Sequence, residues 1–403
     1  MLQGQVRLRP QRNSSQAHTG ISPLSALTHR TQQFQPLPQP LGEPPYHFDL
    51  ETVVPGVTKA AAASGKLVFH CVGDTGGVKS PQYQASVAAM MKGDLILPDE
   101  TMRPRFFYHL GDVVYFNGQI SDYYSQFYEP YDHYGPPIVG IPGNHDGDPI
   151  DGTQTSLDGW VRYFMSPKAV VRQESADAPR VTMSLPNPYF TLLCPFVTIV
   201  GMYTNVPEGG SIDSVQQQWL THEFATAPTD KALIVALHHP IYSFDDHHSG
   251  SAAMADAVQH AINDSRRVPN MVLSAHVHNY QVIERSIQTP AASVAPAKKG
   301  RSKEAAASGM VTPFIVCGHG GYYHLHGMNA AADVTDPATG AHLLFEEHQH
   351  HGYMTLTVDE KTISGVMTSV ANGSGKFTTP GPSHSFSYPA GSISLPEGTI
   401  VSL

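Results

Sequence analysis

Five short apolar runs in this chain end alike, in an oxygen or nitrogen donor set at a tight turn. Leu67–Val72 leads into Gly73-Asp74-Thr75-Gly76, and Phe106–Leu110 into Gly111-Asp112-Val113-Val114-Tyr115. Pro137–Ile141 leads to Gly143-Asn144-His145-Asp146, Ala232–Leu237 to His238-His239-Pro240, and Met271–Ser274 to Ala275-His276-Val277-His278. Short apolar runs bounded by turn signals suit strands buried on both faces. In open α/β sheets, ligands bind in the crevice beyond the carboxyl ends of the strands. Each motif alone is an ordinary turn or loop. Five of them, each directly after a buried strand, predict one convergent site.

The segments between these runs predict helices over Gln82–Lys92, Val215–Ala225 and Ser251–Asn263. Ser80-Pro81 is expected to cap and open the first, and Asp213 or Ser214 to cap the second. Phe196–Met202 and Phe314–Cys317 add two more apolar runs, and strand–helix alternation predicts an α/β layered core. Gly352–Val358 and Thr362–Ser369 alternate with a period of two around Asp359-Glu360-Lys361, the pattern of an antiparallel hairpin. Residues 1–60 are rich in Pro and Gln and read as an extended arm with at most one short edge strand. Residues 287–309 read as a low-complexity loop insertion, and 372–403 as a Gly/Ser/Pro-rich extension with one late strand.

Composition removes several classes of function. Lys and Arg number 24 against 34 Asp and Glu, a net charge of −10 that argues against wrapping a nucleic-acid backbone. No apolar stretch approaches the roughly 18–20 residues of a membrane span. The first residues carry no apolar segment of the kind that follows the basic start of a secretory signal, so a cytoplasmic location is expected. Cys71, Cys194 and Cys317 lie far apart without a Cys-x-x-Cys pair and are expected to be inert core thiols. Histidine is in surplus: 23 residues, nearly as many as Lys and Arg together.

The donor set is what a dinuclear hydrolytic centre requires. Two cations about 3.5–4 Å apart clamp a phosphoryl group and hold the attacking oxygen, with one carboxylate bridging them. Glycine before an Asp or Asn lets the backbone turn and bring the ligand close. His276 and His278, two residues apart at a strand end, are placed to serve different metals.

In this order the motifs resemble those of the calcineurin-like metallophosphoesterases, over roughly residues 66–370. Gly73-Asp74-Thr75-Gly76 and Tyr115 resemble, more narrowly, the purple acid phosphatases. The resemblance implies an α/β fold of four layers, αββα, with two mixed β-sheets flanked by helices, and a catalytic domain over 61–371. It implies Fe(III) at Asp74, Asp112, Tyr115 and His278, and Fe(II), Zn(II) or Mn(II) at Asp112, Asn144, His238 and His276, with Asp112 bridging. The chemistry agrees: a phenolate suits a trivalent ion, and an amide oxygen with two imidazoles suits a softer divalent one. His145, next to Asn144, is implied to reach the substrate phosphate. His247 and His248, nine and ten residues after His238, are implied to bind a phosphate oxygen or protonate the leaving group.

The expected function is hydrolysis of small phosphate monoesters by a hydroxide held on the cations. The alternatives are a phosphodiesterase acting on nucleotide or phospholipid-headgroup diesters, and a non-catalytic metal- or phosphate-binding relative. Ala275 stands where the family has glycine, and Asp146 where glutamate is more frequent. His109, Asp146 and His239 are expected to support the ligands. The plant enzymes' N-terminal β-sandwich is not expected here. A second cluster, His319, His324, His326, His342, His348, His350 and His351, follows the last core strand. Rim residues, a third metal site and plain loop histidines all remain open for it.

Overall fold

The computed structural model describes residues 33–287, 310–371 and 379–403. Its apolar runs form two mixed sheets flanked by helices, the predicted α/β layering. In spatial order the nine-stranded sheet runs His47–Asp49, Phe190–Leu193, Val197–Gly201, Ala232–Ala236, Met271–Ser274, Met310–Cys317, Tyr280–Ile287, His342–Glu347 and Val334–Thr335. The six-stranded sheet runs His384–Pro389, Thr362–Ser369, Gly352–Val358, Leu67–Val72, Phe107–His109 and Ile138–Gly140. Phe69 and Leu356 of one sheet and Ile234 and Leu273 of the other are fully buried in one apolar cluster.

All six residues of Leu67–Val72 are buried, which accounts for its continuous apolar pattern. Its one polar member, His70, is satisfied by the Tyr134 hydroxyl at 2.9 Å and Asp94 Oδ2 at 3.0 Å. The strands that matter for function are parallel to one another within each sheet. His70 pairs with Phe107, Phe107 with Ile138, and Ile234 with Met271. Their carboxyl ends therefore emerge together, three from one sheet and two from the other. Helix Gln82–Asp94 packs on the strand Gly352–Val358, and helices Ser214–Thr226 and Ala252–Ser265 pack on each other.

Local expectations differ from the structure in instructive places. Pro81, not Ser80, is the residue before the first helical position, and it makes no side-chain cap. Asp213 caps its helix by accepting from the Gln216 amide at 2.8 Å. Ser251 stands outside its helix as the cap, accepting from Met254 N at 3.0 Å. Within the N-terminal segment, His47–Asp49 adds a parallel edge strand to Phe190–Leu193, and Val57–Ser64 forms a helix that the sequence reading missed. Its four consecutive alanines give little periodic signal, although Val57 and Ala61 are buried.

The hairpin is as expected, and Asp359 Oδ1 closes its turn by accepting from Lys361 N and Thr362 N. Near the C-terminus, His384–Pro389 extends the six-stranded sheet. The Val401 and Leu403 amides donate to Asn263 and Gln259 on the helix Ala252–Ser265. The low-complexity stretch 288–309 and residues 1–32 of the arm lie outside the described residues. All three cysteines are free and buried, and burial pushes the Cys71 and Cys194 thiols up.

Candidate metal centre

The five donor-bearing strand ends meet where the carboxyl ends of the two sheets face each other. Asp74, Asp112 and His276 take left-handed backbone conformations, with φ of 55°, 54° and 66°. Such a conformation costs a non-glycine residue on the order of 1–3 kcal/mol and collects at functional sites. The sharp turn is thus carried by the ligand-type residues themselves, with Gly111 at φ 96° before Asp112. The glycines also serve close approach. A Cβ on Gly143 would lie 2.1 Å from Asp112 Oδ1, and one on Gly111 would lie 2.6 Å from Gly143 N.

Two groups of donor atoms result. In the first, the Tyr115 hydroxyl donates to Asp74 Oδ1 at 3.0 Å and lies 3.3 Å from His278 Nε2, which is itself 3.6 Å from Asp74 Oδ1. In the second, Asn144 Oδ1 is approached by His238 Nε2 at 3.1 Å and His276 Nδ1 at 3.0 Å. Asp112 stands between them. Its Oδ1 accepts the His145 amide at 3.0 Å and lies 3.4 Å from His238 Nε2. Its Oδ2 is buried with no hydrogen-bond partner among the described residues. Asp74, Asp112 and His238 offer ligand atoms all within 4.8 Å of one another.

The electrostatics describe a site short of positive charge. Burial, with Asp112 alongside, pushes Asp74 well above the usual carboxylate range. Burial also works against Asp112, but the charges of His238 and His145 hold it below that range. Burial disfavours a charged His238, yet Asp112 and Asp74 raise it to about 9. Burial lowers His276 to about 4 and His278 well below its ordinary value, which keeps both rings in the neutral form that binds metals. Burial likewise drives Tyr115 well above its ordinary value, so its proton leaves only for a strongly charged partner. Two buried carboxylates, an orphaned oxygen and neutral imidazoles form a donor set that fits a pair of cations.

A small cavity of about 170 Å³ opens on this centre. Asp112, Asn144, His145, His276 and His278 line its floor, and Lys79, Phe116, Tyr322, Tyr323, His248, His324 and His326 its walls. His145 is oriented by its Nδ1, 2.9 Å from the Phe116 carbonyl. His248 Nδ1 lies 2.9 Å from Glu208 Oε1; burial opposes its charged form, but Glu208 raises it above its ordinary value. His247 does not line the cavity: its ring stacks on His326 at 4.4 Å, one layer further out.

The supporting residues do their work through hydrogen bonds. Asp146 accepts the amides of Gly143, Val113 and Val114, His109 bonds Thr75 Oγ1 at 2.8 Å, and His239 bonds Thr204 Oγ1 at 2.7 Å. The second histidine cluster divides. His324 and His326 reach the cavity, and His319 is buried against Tyr280. His351 stacks on Tyr83, while His342, His348 and His350 bond Thr335, Glu346 and Glu347. Glu208, Asp245 and Tyr322 are the site residues that sequence reasoning missed. Glu208 sits in a loop without a motif, whereas Tyr322 directly follows the Gly-rich Gly318-His319-Gly320-Gly321 and Asp245 stands two residues before His247, so both offered a usable signal.

A family model for calcineurin-like phosphoesterases matches residues 67–280, which contain all seven donor residues. The chain belongs to that family. No curated protein matches the chain. Among solved structures, the chain shares its fold with a purple acid phosphatase from yellow lupin (Lupinus luteus) seeds. The two are 17% identical with a TM-score of 0.52, over 82% of this chain and 54% of the lupin one. The chain thus spans about half the length of the lupin enzyme. It also shares its fold with GAP50, the anchor in the inner membrane complex of Plasmodium, at 13% identity and a TM-score of 0.50, over 82% and 90% of the two chains. Among the described residues, no helix is long and apolar enough to cross a membrane.

Proposed function

We propose that this phosphoesterase hydrolyses small phosphate monoesters with the help of two cations. Asp74, Tyr115 and His278 would hold one, a ferric ion, and Asn144, His238 and His276 the other, an Fe(II), Zn(II) or Mn(II) ion, with Asp112 shared. The observation that carries this reading is Asp112, buried between the two donor groups with one oxygen unpartnered. Bound cations supply Lewis acidity and lower the pKa of coordinated water.

The chain's own residues account for the rest. His145, held by the Phe116 carbonyl, lines the cavity and would meet a phosphoryl group bound there. His248, kept protonated more readily by Glu208, is placed to neutralise a phosphate oxygen or to give a proton to the departing alcohol. The cavity, about 170 Å³, is well below the roughly 300–1,000 Å³ of sites for drug-sized ligands, which favours the dianion of a monoester over a doubly substituted diester. Lys79 at its rim adds a fixed positive charge. GAP50 is described as an anchor, so the fold alone does not argue for activity; the complete donor set does.

The test is turnover of a monoester against the diester of the same alcohol by metal-loaded protein. Faster hydrolysis of the monoester is expected. Equal or faster hydrolysis of the diester would establish a phosphodiesterase, and no turnover over a broad panel with both metals held would leave a binding protein.

A further inference from the structure

One buried carboxylate organises the loops that wall the cavity. Asp245 is 2% exposed. Its Oδ2 accepts from the backbone amides of His247 at 3.0 Å and His248 at 2.8 Å, and lies 3.2 Å from His326 Nδ1. Its Oδ1 accepts from Asn279 Nδ2 at 3.0 Å, and its main-chain carbonyl accepts from Asn329 Nδ2 at 2.6 Å. Asn279 directly follows His278, a candidate metal ligand. One side chain therefore joins the loop carrying His247 and His248, the segment leaving the strand Met271–Ser274, and the loop around His326. The rings so held stand over the metal centre: His248 is 4.6 Å from His276, and His326 is 4.3 Å from His278, between ring centres.

We infer that Asp245 is a positioning residue, whose carboxylate holds His248 and His326 at the leaving-group side of a phosphoester bound on the metal centre. The inference rests on the phosphoesterase reading above. A carboxylate is required because donors arrive on both oxygens. An Asn in either amide orientation must point its NH2 at another donor, at Asn279 on one side or at the two amides and His326 on the other. The other role open to this cluster is a third cation site, since Asp245, His247 and His326 present ligand atoms within 4.8 Å of one another. Three contacts on Oδ2 and one on Oδ1 already engage both oxygens of the Asp245 carboxylate, which favours an organiser over a ligand.

General-acid assistance matters most when the departing alcohol is a poor leaving group, so the role has a signature that simple loss of structure lacks. Asp245→Asn in the metal-loaded full chain is compared with wild type on an alkyl phosphate and on a nitrophenyl phosphate. A loss in kcat/KM of at least about 30-fold on the alkyl ester and under about 3-fold on the activated ester is expected, within the usual 10²–10⁴ range of acid–base assistance. His248→Ala is expected to show the same selectivity, and the double variant no further loss. Equal losses on both esters, or no loss on either, would overturn the positioning role. So would the disappearance of a third equivalent of bound metal in Asp245→Asn.

If Asp245→Asn does not fold, His326→Gln reports in its place. It leaves Asp245 on the two amides and removes the ring, so a smaller loss with the same selectivity is expected, and equal losses overturn the role. A wild-type protein that turns over neither ester would instead refute the phosphoesterase reading, and the positioning role with it.

Discussion

Asp112 Oδ1 stands 3.4 Å from His238 Nε2, joining the strand end of Phe107–His109 in one sheet to that of Ala232–Ala236 in the other. This contact makes Asp112 the hinge of both donor groups, and its second oxygen has no hydrogen-bond partner among the described residues. Asp112→Asn keeps the shape and removes the bridging charge. Metal content is expected to fall to one equivalent or less per chain, and kcat/KM by at least about 100-fold. Metal analysis alongside turnover checks this; an Asn variant with two metals and unaltered turnover would contradict it.

Gly143 allows the loop bearing Asn144 to lie against Asp112. A methyl group there would sit 2.1 Å from Asp112 Oδ1, with backbone atoms of the neighbouring loop close behind, so nothing flexible yields. Gly143→Ala is expected to lower stability by about 1–3 kcal/mol, the usual cost of overpacking, and to weaken metal binding. Denaturant unfolding and metal titration measure the two effects, and unchanged metal affinity would show that the close approach is dispensable.

Tyr115 is buried beside Asp74 and His278, and its phenol is held far from ionisation by that burial. A ferric ion is a partner strong enough to take the phenolate. The iron-loaded protein is expected to show a visible tyrosinate charge-transfer band that is absent in Tyr115→Phe. A colourless, fully active protein containing only zinc or manganese would refute the ferric assignment.

Buried histidines outside the donor set tie stability to pH. Burial lowers His70 below its ordinary value and brings His109 and His319 to about 3. Their folded-state pKa values are depressed, so below about pH 6.5 the unfolded chain binds protons that the folded one refuses, and stability falls as pH falls. Each such ring contributes a slope of up to about 1.4 kcal/mol per pH unit in the window between its folded value and about 6.5. Denaturant midpoints are expected to drop between about pH 7.5 and about pH 5, and less steeply in His319→Asn. Midpoints independent of pH over that range would contradict this.

How much of this was legible in the sequence depends on what kind of signal each residue leaves. Asp74, Asp112, Asn144, His238, His276 and His278 follow apolar strands at short, regular offsets, and a parallel sheet carries such residues to one rim. Their convergence was therefore readable. Glu208 was not, because it reaches His248 from a loop whose path depends on tertiary packing rather than on any local period. The helix Val57–Ser64 was hidden by a run of alanines that has propensity without amphipathic contrast. The reading of the glycines was right about position and incomplete about cause. Left-handed turns fall on Asp74, Asp112 and His276 as well as on Gly111, while Gly143 clears space for a carboxylate.

The central claim is that two cations, shared through Asp112, act together on a phosphate monoester. Metal-stripped protein titrated with cations, while bound metal and monoester turnover are followed together, tests it most directly. The account predicts turnover that rises to a plateau at two bound ions per chain. Full turnover at one equivalent, or two tightly bound ions without turnover, would contradict it.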